Sequence, residues 1–120
     1  MLDTNHASLI FRRLPAALAA VEAHADDEFA LAMPTVAELW YMEHGSARRA
    51  ENIRDLVQFF RDYQILEFSA SAAEEFGRIK ADLRVRGRII PDRDIQIAAI
   101  ALCSKLTLLT SDKHFRNLTG

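Results

Sequence analysis

FALAMPTVAEL, residues 29–39, joins a short apolar run to a segment that opens like a helix, and the reading of that junction decides the fold. Residues 29–33 are apolar and bounded by Asp27 and Pro34, as a buried strand is. The same alternation recurs along the chain. QILEF (64–68) reads as another short strand and TLLT (107–110) as a β-rich run that completes the series. Between them, Ile53, Leu56, Val57, Phe60 and Tyr63 recur at helical spacing, after a charged stretch from His44 to Asn52 that reads as a turn. Ala72, Phe76, Ile79 and Leu83 carry a further helix to a stop at Gly87. IQIAAIALC (95–103) is apolar on nearly every side, as a helix packed between layers must be. Strands alternating with helices predict an α/β domain with a largely parallel sheet, because parallel neighbours need a crossover helix. In such sheets the ligand site lies beyond the carboxyl ends of the strands.

The 120 residues suit one compact domain, 1–120, able to bury a core without metal or disulfide staples. Half are apolar and 27% are charged, which excludes disorder and fibrous repeats. No apolar run approaches the ~20 residues of a membrane span. A secretory signal is absent from the first residues and Cys103 has no internal partner, so a cytoplasmic protein is expected. The net charge of −2 argues against a non-specific nucleic-acid coat. Twelve of the 15 basic residues are Arg, several in pairs or alternation: Arg12 with Arg13, Arg48 with Arg49, then Arg84, Arg86 and Arg88. The planar fork of Arg suits phosphate, although solvated helix faces and surface ion pairs account for such runs equally well.

Four acids follow strand-like segments or open helices: Asp3 after Met1 and Leu2, Glu38 in PTVAEL, Asp94 in PDRDIQIAA, and Asp112 in TSDKHF. Each of the last three has a structural alternative. Thr35 and Glu38 have capping-box spacing, Asp92 can cap the helix through 95–103 with Asp94 in its first turn, and Ser111 can cap a closing turn beside Asp112. Ser71 and Glu74 repeat the capping-box pattern with no other functional sign. What capping leaves unexplained is Asp3 in company with the rest. Carboxylates converging at a buried sheet edge repel one another unless a cation sits among them, and hard oxygen ligands select Mg²⁺ or Mn²⁺. Neutralising those 4 of the 17 acids leaves 13 against 15 basic residues, and the balance changes sign. The four histidines, His6, His24, His44 and His114, are scattered and give no support to a zinc site.

MLDTN, PTVAELWY, HGSARRAEN, GRIIPDRDIQIAAIAL and TLLTSDKHF resemble, in this order and spacing, the motifs of PIN-domain proteins, most closely the VapC-like toxins of bacterial toxin–antitoxin pairs. The resemblance implies a three-layer α/β/α sandwich with a parallel central sheet. It further implies an endoribonuclease whose acidic quartet, Asp3, Glu38, Asp94 and Asp112, binds Mg²⁺ or Mn²⁺. Asp92 matches an accessory acidic position, and Thr4, Asn5, Thr110 and Ser111 fall where small polar residues orient the carboxylates. Only two residues precede Asp3, and the sequence stops at RNLTG, so either the boundaries are trimmed or the central strand is short and the last edge strand is missing.

On this reading Arg93, Lys113 and Arg116 meet the RNA backbone, and unpaired bases supply specificity. A cognate antitoxin covers the site and the chain forms a homodimer. Trp40, Tyr41 and Met42 serve either that interface or the core, the core being the commoner use of aromatics. The alternatives are a PIN-domain nuclease with a housekeeping role in RNA processing, a non-catalytic PIN-like module, and a receiver-like module. The last requires a phosphorylatable Asp on a mid-chain strand, where QILEF offers Glu67.

Overall fold

The computed structural model describes residues 1–12 and 29–106. In chain order the elements are α1 (Thr4–Phe11), β1 (Ala30–Ala32), α2 (Met33–His44), α3 (Arg49–Phe60), β2 (Gln64–Leu66), α4 (Ala70–Val85) and α5 (Asp92–Cys103). The 107–110 run lies outside the described residues, as do Thr110, Ser111, Asp112, Lys113 and Arg116.

β1 and β2 pair in parallel, with Ala30, Leu31 and Ala32 opposite Gln64, Ile65 and Leu66. Leu2 forms a parallel bridge to Leu31 on the other side of β1, and its N–H donates to the Ala30 carbonyl at 3.0 Å. β1 is therefore bonded along both edges. Side chains alternate across it, as a pleated strand requires. Ala30 and Ala32, with Met1, join a core built from Ala72, Ile79 and Leu83 of α4 and the apolar run of α5. Leu31 and Leu2 point the opposite way, into a core with Ala7 and Ile10 of α1, Val36 and Leu39 of α2, and Leu56 of α3. Helices thus cover both faces of the sheet, which is the expected α/β/α sandwich.

The strand expected over 29–33 is shorter, because Met33 already begins α2 with Pro34 in its first turn. That start rules out the capping box. Ala32 occupies the cap position without a side-chain bond, Thr35 is buried inside the first turn, and Glu38 lies one turn further on. Asp92 likewise is the first helical residue of α5 rather than its cap, which is Pro91. Asp92 and Asp94 both sit in the first turn, where the helix dipole favours negative charge. In α4 the cap is Ser69, whose Oγ accepts from Ala72 N at 3.1 Å, and Ser71 is interior.

Gly87 ends α4 as expected. Its φ of +70° lets its own N–H reach the Arg84 carbonyl while Arg88 N–H reaches that of Leu83. Trp40 and Met42 pack against the core around Leu31, whereas Tyr41 is 77% exposed. Among the described residues no helix is long and apolar enough to cross a membrane.

Candidate active site

Asp3 leaves the sheet directly after Leu2 and becomes the N-cap of α1. Its Oδ1 accepts from the His6 backbone N–H at 2.7 Å and lies 3.0 Å from His6 Nδ1. The carboxylate can only accept, so the His6 ring donates through Nδ1. Asp3 is 3% exposed, and both contacts fix its carboxylate where a fraying terminus could not. The order that two strand residues cannot supply comes from β1 on one side and from His6 on the other.

Thr4 O–H reaches Thr35 Oγ1 at 3.4 Å, linking the first turn of α1 to the first turn of α2. Glu38 follows Thr35 by three residues, hence on the same side of α2. Its carboxylate, 34% exposed, forms an ion pair with Arg93, with 3.1 Å between Oε1 and the guanidinium NH1. The same guanidinium lies 3.6 Å from Asp94 Oδ1 through its Nε. Asp94 is 4% exposed. Acids from α2 and α5, remote along the chain, thereby meet on one positive group.

Two expected residues stand apart. Asp92 pairs with Lys80 of α4 at 2.9 Å, on an exposed surface and on a different side of α5 from Asp94. Asn5 is exposed on α1. Among the described residues no three His, Cys, Asp or Glu side chains gather closely enough to hold one ion. A cavity of about 1030 Å³ opens between α1, α2 and α3, lined in part by Phe11, Glu43, Phe59 and Tyr63. None of the candidate acids lines it; its charged lining is a separate set, Glu43, Asp55 and Asp62 with Arg12 and Arg61. Burial, and secondarily the charge of Asp62, pushes the Tyr63 phenol above its ordinary value.

The histidine on Asp3 was not singled out by sequence reasoning, although its position three residues past a cap is where a ring can fold back onto the capping carboxylate. Arg93, expected to meet RNA, lies within reach of Glu38 and Asp94.

A parallel sheet between helical layers, with acids entering from α1, α2 and α5, is the build of a PIN domain. The model of that family matches residues 1–120, and the chain belongs to it. Ribonuclease VapC2 of Haemophilus influenzae is 32% identical over 112 residues, spanning 93% of this chain and 85% of the relative. VapBC2 from Rickettsia felis, solved bound to a DNA fragment from its promoter, superposes with a TM-score of 0.88 at 28% identity. That match covers 98% of this chain and 91% of the other. VapBC-5 from Mycobacterium tuberculosis, a member of the VapBC family of toxin-antitoxin systems, superposes with a TM-score of 0.66 at 30% identity, covering 76% of this chain and 74% of the other.

Proposed function

We propose that the chain is the endoribonuclease toxin of a toxin–antitoxin pair, hydrolysing RNA phosphodiester bonds with a divalent ion, Mg²⁺ or Mn²⁺. The observation that carries this reading is the meeting of Glu38 and Asp94 around a positive charge. Membership of the PIN family, and likeness to VapC ribonucleases, supports the activity.

The donor chemistry fits such an ion. Asp3, Glu38 and Asp94 present only hard oxygen atoms, and the last two already draw a cation between them. Glu38 and Asp94 would hold the metal with water completing its shell, as one or two carboxylates commonly do for magnesium, and the family resemblance adds Asp3 and Asp112 to the set. When bound, it supplies Lewis acidity at the scissile phosphodiester. The chain supplies the positioning: His6 orients the Asp3 carboxylate, the Thr4–Thr35 bond holds α1 against α2, and burial restrains Asp94. By the family resemblance, Thr110 and Ser111 would support Asp112, and Lys113 and Arg116 would meet RNA phosphates. Residues 1–120 act as one domain, in the cytoplasm, as a homodimer restrained by a cognate antitoxin.

Asp94→Asn preserves the shape of the side chain and removes its charge. RNA cleavage by the purified variant should fall further than the roughly ten- to hundredfold loss typical of an outer-shell partner, with Tm nearly unchanged. EDTA should silence the native protein equally. Cleavage that persists in the variant, or under rigorous chelation, would refute the assignment.

A further inference from the structure

We propose that Arg93 is the resident counter-cation of the metal site: its guanidinium joins Glu38 to Asp94, and a divalent ion taken up by those carboxylates would displace it toward the RNA backbone. The inference rests on the proposed nuclease reading and deepens it, because it concerns the same carboxylates.

Arg93 is the second residue of α5, where the positive end of the helix dipole disfavours a cation. Helix electrostatics therefore do not explain its place. Nor does the neighbouring Asp92, which is already paired with Lys80 at 2.9 Å. What holds the guanidinium is the pair of carboxylates, at 3.1 Å from Glu38 and 3.6 Å from Asp94. A cation that seeks the same carboxylate oxygens competes with the guanidinium for them. A divalent ion bound to the same oxygens is that competitor. The side chain is 42% exposed and has solvent to swing into, which makes the exchange sterically open. Once released, it stands one residue from Asp94, and its fork matches a phosphate. Loading the metal thus both completes the acidic site and frees a ligand for the substrate.

Partly exposed ion pairs are weak, so Arg93 tempers metal affinity rather than blocking it. The experiment titrates the full chain, stripped with EDTA and desalted, with Mn²⁺ while electron paramagnetic resonance follows the free ion. Arg93→Gln should bind Mn²⁺ about twofold to fivefold more tightly than the native chain, a change on the scale of one surface ion pair. Arg93→Lys should fall between the two. Thermal melts confirm that each variant is folded. A second readout is the binding of a 2′-O-methyl RNA oligonucleotide, checked on a gel for integrity after each titration. Mn²⁺ should strengthen that binding in the native chain by more than in Arg93→Gln. Equal or weaker Mn²⁺ affinity in Arg93→Gln would overturn the inference. If Mn²⁺ uptake is also lost in Asp94→Asn, that result leaves the nuclease reading standing. A native chain that takes up no Mn²⁺ at all would overturn both.

Discussion

Asp3 does two jobs, and single substitutions separate them. As the N-cap of α1 it accepts from His6 N–H, a task Asn performs about as well. In the metal-ligand role proposed above it has no neutral substitute. Asp3→Asn should therefore keep the urea midpoint of the native chain while losing RNA cleavage. Asp3→Ala should lose cleavage together with about 1 kcal/mol of stability. Equal stability in the two variants would show that the cap contributes nothing. At this scale the acids were legible in the sequence and their partners were not. Asp3, Glu38 and Asp94 announce themselves by following apolar runs or opening a helix. Whether Glu38 caps a helix or faces Arg93 depends on where α2 starts, and one residue of uncertainty there changes the answer. The ring of His6 and the fork of Arg93 are long enough to reach several neighbours, so only the packed structure chooses among them.

Helix and strand ends show the same division. The stop of α4 at Gly87 was legible because glycine enters the left-handed region without strain. α5 ends through the same pair of bonds, Lys105 N–H to Leu102 and Leu106 N–H to Ala101, yet the residue with positive φ is Lys105, at 56°. Lysine carries no preference for that geometry, so no sequence rule marks it. The corner between α3 and β2 holds Tyr63, whose ring lies 4.8 Å from that of Phe59. Its phenol is raised by burial and then by Asp62, so the folded state holds that proton more tightly than the unfolded chain does. The resulting stability is complete below the unfolded value of about 10 and is lost as pH rises through the folded one. Urea melts should show the native chain losing more stability than Tyr63→Phe between about pH 8 and pH 11. An identical decline in both would remove Tyr63 from the account.

Across the whole molecule, one three-residue strand organises both cores. Leu31 is fully buried, with Leu2 on one side and Ile65 on the other. Leu31→Ala should cost about 2–5 kcal/mol in urea unfolding, the range for a core leucine that the surroundings cannot replace. A loss under 1 kcal/mol would mean that the layer of α1, α2 and α3 closes over the gap. The layered architecture was legible because alternating strand and helix patterns leave few topologies open. The spacing between layers was not, since it depends on which small residues meet. Ala30 and Ala32 lie in the same core as Ala98, Ala99 and Ala101, so small side chains help to bring sheet and α5 close. Those methyls work as shims behind the acids. A bulkier residue at position 30 or 32 would lever α5 outward and open the distance from Asp94 to Glu38, so evolution can retune this nuclease from the rear, leaving every ligand in place.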